Sequence, residues 1–249
     1  MTSTIRTSAT PGLRLSFQVI ALVSALSGVL PAQVADSFPR PDRPVSRIVA
    51  PRWIAEERRD AFGEADSVMR ALRIGPGTRV ADIGAGDGYY VQRLSERVGP
   101  EGLVFGEDIE LRYLAMLRDR VEQSGWTNVR VIEGREDDPA LPPGSIDVAL
   151  MIHMYHEITS PFALLHRLAP AFRAGGRLAV LDVDAPTDQH GTPPRLLACE
   201  LEALGYSRVR RQMMADGAYL MIFRAPDAGT RTTGAADVRA RVSKANCRA

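Results

Sequence analysis

Between Pro51 and Ala225 the spacing of apolar residues switches repeatedly between about two and about 3.6, so strand-like segments alternate with helix-like ones. The strand-like runs are Thr78–Ile83, Gly102–Glu107, Val129–Glu133, Ile146–Ile152 and Arg177–Val183. Helix-like runs fall at Ile54–Leu72, Tyr89–Val98, Glu110–Ser124, Pro161–Phe172 and Pro194–Leu204, punctuated by Gly75-Pro76-Gly77, Gly99-Pro100 and Gly175-Gly176. Two closing strands, Arg208–Met213 and Tyr219–Phe223, flank Asp216-Gly217, which reads as a hairpin turn. Strands joined through helices lie parallel, because the crossover returns the chain to the same end of the sheet. The pattern therefore predicts an α/β fold with a doubly wound, mostly parallel seven-stranded sheet and an antiparallel C-terminal hairpin strand. Ligands of such sheets bind beyond the carboxyl ends of the strands. The residues just after each strand are the informative ones.

After the first strand runs Val80-Ala81-Asp82-Ile83-Gly84-Ala85-Gly86-Asp87-Gly88. Alternate glycines let the backbone turn sharply and approach a ligand where a Cβ would intrude, and a helix N-terminus with unpaired N–H groups follows. The spacing is G-x-G-x-G, not the G-x-G-x-x-G of dinucleotide sites. Asp82, two residues before the first glycine, repels a pyrophosphate and suits an ammonium group. After the second strand come Glu107, Asp108 and Ile109; Asp108 lies 24 residues beyond Gly84, where a carboxylate can accept both hydroxyls of a ribose. The third strand is followed by Glu133-Gly134-Arg135-Glu136-Asp137-Asp138, acceptors for an adenine amino group. The fourth is followed by His153-Met154-Tyr155-His156-Glu157, ionisable groups crowded at the mouth of the sheet.

These motifs together resemble the class I S-adenosylmethionine-dependent methyltransferases: VADIGAGDG their first motif, GEDI their second-strand acidic motif, and LPPGSIDVALMIHMYHE their fourth-strand region. GAGDGYY and YHE also look like a bacterial subgroup that often carries export signals. The resemblance spans about Pro51 to Ala225 and implies a Rossmann-like methyltransferase fold with S-adenosyl-L-methionine as cofactor. It assigns the methionine end of the cofactor to Asp82, Gly84 and Gly86, the ribose to Asp108 and the adenine side to Ile109. Glu136, with Asp137 second, takes the adenine amino group, and His153 lies under the cofactor near the methyl donor. Family members often carry Asp or Asn where this chain has Arg135, which makes the adenine contact the least secure.

Methyl transfer from a sulfonium is an in-line displacement, so the protein mainly positions the acceptor. A base is needed only where the acceptor carries a proton that must leave. His156 is the candidate base, with Glu157 orienting or charging it and Tyr155 lining the pocket; a histidine at the end of a buried strand is equally a core residue. His153, His156 and Glu157 match no common zinc spacing, so no metal site is expected. His190-Gly191-Thr192-Pro193-Pro194 falls where such folds vary their acceptor loops. Asp182 and Asp184 either line the acceptor side or cap the end of their strand, the second being preferred. Trp53, Arg58, Arg59 and Phe62 are candidates for a lid over the cofactor, against the plainer reading of a solvated helix face. Two rival classes stand: a non-catalytic ligand-binding protein on the same fold, and a nicotinamide-dependent oxidoreductase, which the glycine spacing disfavours.

Both ends of the 249-residue chain fall outside this pattern. Arg6 and Arg14 precede an apolar run, Leu15–Leu30, then Pro31 and Ala32, so residues 1–35 read as a secretory signal peptide. The alternatives are a retained membrane anchor, for which Gln18 and three serines make a poor span, or a misplaced start. Export implies a periplasmic or secreted protein, against membrane-anchored or cytoplasmic readings. Residues 36–50 read as a linker, 51–225 as the methyltransferase domain, and 226–249, rich in Gly, Thr, Ala and Arg, as a disordered tail. With 31 basic against 30 acidic residues there is no field to attract nucleic acid. The expected partner is a small-molecule substrate, with a membrane involved only if the N-terminal segment stays uncleaved, and the chain a monomer or dimer. Lys244 is the sole lysine and lies in the tail, which excludes Schiff-base catalysis and a P-loop. Cys199 and Cys247 are too few for a thiolate metal site and would pair only in an oxidising compartment.

Overall fold

A computed structural model describes residues 1–2, 37–49 and 55–248. The described elements are, in chain order, α1 (Glu56–Ala61), α2 (Glu64–Ala71), β1 (Arg79–Ile83), α3 (Tyr89–Val98), β2 (Leu103–Asp108), α4 (Leu111–Ser124) and β3 (Val129–Glu133). There follow β4 (Ile146–Ile152), α5 (Pro161–Leu168), β5 (Phe172–Asp182), α6 (Pro194–Ala203), β6 (Ser207–Met213), β7 (Tyr219–Arg224) and α7 (Ala235–Ala245). The seven strands form one sheet in the order β3-β2-β1-β4-β5-β7-β6. β1 to β5 are parallel, whereas β7 runs antiparallel between β5 and β6. The strand order reverses between β1 and β4, and the carboxyl ends of both strands open there into the crevice that open α/β sheets use for ligands. This is the doubly wound, mostly parallel sheet with an antiparallel C-terminal pair that the periodicity predicts.

The central strands are buried on both faces: Val80, Ala81, Val148, Ala149, Leu150, Met151 and Leu178–Leu181 are all fully enclosed. Such near-continuous apolar runs are what a strand covered on both sides requires. One apolar cluster, with Phe162, Leu165, Leu197 and Tyr206, fills the face under α5 and α6. The other, with Val68, Leu72, Val91, Leu94 and Leu117, fills the face under α2, α3 and α4.

Four sequence expectations change. The helix expected over Ile54–Leu72 is two helices in its described part, broken at Phe62-Gly63, where Gly63 turns left-handed at φ 61°. The helix expected over Pro161–Phe172 ends at Leu168, because Pro170 lacks the N–H an interior turn needs; a 3-10 turn, Ala169–Ala171, leads straight into β5. The presumed linker is no linker in its described part: residues 37–49 lie against the domain. There Arg43 is buried, its Nε donating to Glu200 at 3.0 Å, and Phe38 packs on His166 at 5.1 Å between ring centroids. The presumed disordered tail holds α7, which packs on α5 and α6 through Ala235, Val238 and Val242. Only three small apolar side chains anchor that helix, too few to show as a period, and a disulfide from Cys247 to Cys199 of α6 ties down its far end. The signal segment, at positions 1–35, lies outside the described residues but for Met1 and Thr2. No helix among the described residues is long and apolar enough to cross a membrane.

Candidate cofactor pocket and the residues behind it

A cavity of about 400 Å³ opens at the carboxyl ends of β1, β2 and β4, a volume within the range that encloses a drug-sized ligand. Its floor is the turn after β1. Gly84 and Gly86 stand at φ 72° and 57°, left-handed values that a side chain disfavours, and a Cβ on Gly84 would lie 3.2 Å from the Met154 side chain. The backbone of this turn can therefore come within hydrogen-bonding reach of a ligand.

Carboxylates dominate the walls. Asp82, the penultimate residue of β1, is almost wholly enclosed, and burial pushes its carboxyl up to about 7 although the Arg59 charge opposes this. Asp108 closes β2 and accepts hydrogen bonds from the N–H groups of Gly86 and Glu110, both at 2.8 Å; burial still raises its pKa. Glu107 beside it is held well above the usual carboxylate range by burial and by the Asp108 charge. Its side chain fills the space where a Cβ on Gly134 would lie, so Gly134 is obligatory while Glu107 points this way. Glu136 lines the cavity and accepts from the Thr159 hydroxyl at 2.9 Å. Six acids line the cavity against Arg47, Arg59 and Arg135, and Arg59 is already paired with Glu64, so the acidic excess favours a cationic guest.

Of the predicted cofactor residues, Asp82, Gly84, Gly86, Asp108, Ile109, Glu136 and His153 all line this one cavity. Asp137 does not. Its carboxylate turns away to pair with Arg167 of α5, which satisfies it outside the pocket. His153, at φ 54°, points its Nε2 at Glu64 of α2, 3.4 Å away. Burial works against the Glu64 charge, but the hydrogen bonds from His153 and Arg59 outweigh it and hold that carboxyl down at about 2.

The expected catalytic trio splits. Tyr155 is a correction: it is wholly buried and donates its hydroxyl to Glu200 of α6 at 2.7 Å, so it does not line this cavity. His156 is also buried off the cavity, with Nδ1 3.1 Å from both oxygens of Asp182. Glu157 is the member that reaches the cavity. It accepts from the Val49 N–H at 3.0 Å, and burial raises its pKa to about 7.

Several lining groups carried no legible signal. Ser46, Arg47, Ile48 and Val49 close one side of the cavity as a strap. It is pinned by the Ser46 N–H to the His156 carbonyl at 3.0 Å and by the Ser46 hydroxyl to the Thr187 carbonyl at 2.6 Å. Arg59, grouped with a lid, is instead buried in the wall. Its guanidinium lies 3.8 Å from the Tyr89 ring centroid and donates to Glu64 at 2.6 Å. Arg58 and Phe62 stay on the surface, and Trp53 lies outside the described residues. The two aspartates after β5 differ. Asp182 is wholly enclosed and accepts from the Thr192 hydroxyl at 2.6 Å and the Val183 N–H at 2.8 Å, whereas Asp184 is exposed near Arg211.

Comparisons with known proteins agree with this geometry. Residues 80–176 match a family model described as "Methyltransferase domain". The demethylmenaquinone methyltransferase of Listeria welshimeri is 27% identical over 118 residues, which cover 47% of this chain and 50% of that protein. The chain thus spans about half the length of the curated relatives it matches. Among solved structures, an S-adenosylmethionine-dependent methyltransferase from Aquifex aeolicus superposes with a TM-score of 0.62 at 20% identity, over 69% of this chain and 99% of that one. A [4+2]-cyclase superposes at 0.56 and 14% identity, over 76% and 89%. The described domain has the Rossmann-like fold of the S-adenosylmethionine-dependent methyltransferases.

Proposed function

We propose that the chain is an S-adenosylmethionine-dependent methyltransferase acting on a small-molecule acceptor. The observation that carries the reading is the meeting of Asp82, the Gly84–Gly86 turn and Asp108 in one cavity. The residues present fit the cofactor: the turn leaves space that a Cβ would fill, and the acidic wall matches an ammonium and a sulfonium. Asp82 would hold the ammonium; two unit charges about 4 Å apart gain roughly 4 kcal/mol at an effective dielectric near 20. Asp108 would accept the ribose hydroxyls, Ile109 would lie against the adenine and Glu136 would accept its amino group. Bound there, S-adenosylmethionine supplies a methyl group already activated on sulfur. The chain's own task is to hold an acceptor in line and keep water out, and the strap at Ser46–Val49 covers that side of the cavity.

The family match ends at residue 176, before Asp182, Thr192 and α6, so the acceptor named for the relatives is not carried over with it. A small acceptor suits a cavity of about 400 Å³ partly covered by the strap. The [4+2]-cyclase on the same fold favours a second reading, in which the cofactor site serves a reaction other than methyl transfer or only binds its ligand. Export to an oxidising compartment is part of the proposal. The Cys199–Cys247 disulfide supports it, because such bonds persist there and are rare in reducing cytosol; mass analysis of the mature chain tests it through cleavage near residue 35.

Titration of the full chain with S-adenosylmethionine by calorimetry decides the main reading. Micromolar binding is expected, and no binding at millimolar ligand overturns it. Methyl-labelled cofactor then separates methyl transfer from the second reading.

A further inference from the structure

Behind the pocket wall, three ligating side chains from two parts of the chain, the turn after β4 and the loop after β5, face one another. His156 Nε2 and His190 Nδ1 each lie 4.0 Å from Glu157 Oε1, and the potential ligand atoms all fall within 4.8 Å of one another. None of these separations is a hydrogen bond. The two imidazoles meet edge to face at 5.4 Å between centroids, so their nitrogens converge on the carboxylate without stacking.

The orientation of His156 is set from behind. Asp182 accepts from the Thr192 hydroxyl and the Val183 N–H, and both its oxygens lie 3.1 Å from His156 Nδ1. That nitrogen therefore carries the proton, and Nε2 presents its lone pair toward Glu157. A lone pair facing a carboxylate is repulsive unless a proton or a cation stands between them, and 4.0 Å is too long for a shared proton to bridge the two. A carboxylate behind the distal nitrogen of a histidine is also the usual outer support of a metal-bound imidazole. His190 adds the third donor from the loop after β5, with its backbone N–H 3.3 Å from the Ser46 hydroxyl. Its half-exposed side chain leaves an entry path from solvent.

We propose that His156 Nε2, Glu157 and His190 Nδ1 bind one divalent transition-metal ion, with Asp182 positioning His156. Two imidazoles and one carboxylate suit zinc or ferrous iron and leave coordination positions open. Ligand atoms around a tetrahedral ion with bonds of about 2.0–2.1 Å lie roughly 3.3 Å apart, so the three side chains close on the ion by a small inward shift. The neighbouring acid-and-histidine group of Glu64, His153 and Asp216 does not compete, since Glu64 is already satisfied by Arg59 and Tyr90. Because Glu157 also lines the cavity, the ion would stand at the pocket wall and hold an anionic acceptor oxygen. That last role rests on the methyltransferase reading; the binding of the ion does not.

The test uses tag-free full chain stripped with a chelator, titrated with Zn²⁺ by calorimetry and with Co²⁺ by visible absorption, both without S-adenosylmethionine. One ion per chain is expected, with ligand-field bands for Co²⁺. His190→Ala, at a half-exposed loop position, should weaken binding at least 30-fold while leaving thermal unfolding of the stripped protein unchanged. Asp182→Asn should weaken it by about 10-fold to 100-fold through His156 alone. No binding at millimolar Zn²⁺, or binding of undiminished affinity in His190→Ala, overturns the site. Since the cofactor is absent throughout, loss of the cofactor reading would leave this result standing, and the reverse.

Discussion

Asp82 is buried for a purpose that costs the empty protein. Its carboxyl sits near 7 because enclosure penalises the charge, so near neutral pH a cationic guest must displace a proton from about half of the molecules. Affinity for S-adenosylmethionine should therefore rise about tenfold between pH 6 and pH 8, as calorimetry at three pH values would show. Asp82→Asn should flatten that dependence and weaken binding at least tenfold. The same substitution should raise the melting temperature of the empty protein at pH 8, since it removes a buried charge; a lowered one would contradict the burial argument. Gly84→Ala tests the turn. Its φ of 72° puts alanine in the left-handed region and its Cβ against Met154. A loss of about 1–2 kcal/mol in stability, read from denaturant midpoints, should accompany weaker cofactor binding.

At the scale of elements, the strap and α7 are held by a few strong attachments. Arg43 and Glu200 form an ion pair whose side chains are essentially sealed from solvent, and Tyr155 donates to the other Glu200 oxygen. Arg43→Ala leaves that carboxylate buried without its cation, which should cost about 3–5 kcal/mol; limited proteolysis should then cut within residues 37–49. The Cys199–Cys247 bond closes a loop with a sequence separation of 48. Replacing both cysteines by alanine should cost roughly 2–4 kcal/mol by urea unfolding, with α7 the first element to lose amide protection.

The same elements show what was legible. Six of the seven strands begin and end within two residues of the expected positions, the inner parallel ones because they write continuous apolar runs and the closing pair because a turn, Asp216-Gly217, marks its middle. Much of the lining of the cavity was legible too, since those residues sit just after the strands, where topology puts any ligand. What stayed hidden was contact between distant segments. Nothing local distinguishes Arg43 from a solvated arginine, or Arg59 from the exposed Arg58 beside it. The pairing of His156 with Asp182, and its approach to His190, depends on how β4 and β5 lie side by side. Tyr155 misled because a 3-10 turn after β4 rotates successive side chains to different sides, so only Glu157 of the three meets the cavity.

For the whole molecule, the buried acids give stability an unusual slope with pH. Asp82 and Glu107 have native pKa values above their unfolded ones, so the native state binds more protons between about pH 7 and pH 5 and stability falls as pH rises. The empty protein should be more stable at pH 5.5 than at pH 8. Below about pH 4.5 the sign reverses, because Glu64, Glu56 and Asp60 have lowered pKa values and lose their native partners on protonation. Thermal scans across this range check both limbs, and saturating S-adenosylmethionine should remove Asp82's share of the upper one by fixing that carboxylate in its charged form.

The strap also dictates an order of events during biosynthesis. Arg43 is made early, yet its partner Glu200 lies 157 residues later, and Ser46 waits for Thr187. Contacts this far apart in sequence form late, after the central strands have paired. A growing chain thus has its glycine turn and its acidic wall before the strap can gain all of its anchors. The strap's bonds to His156 and Glu157 can form once β4 and the turn after it have been made, but the anchors at Thr187 and Glu200 come only after β5, so the edge of the pocket is fastened in two stages.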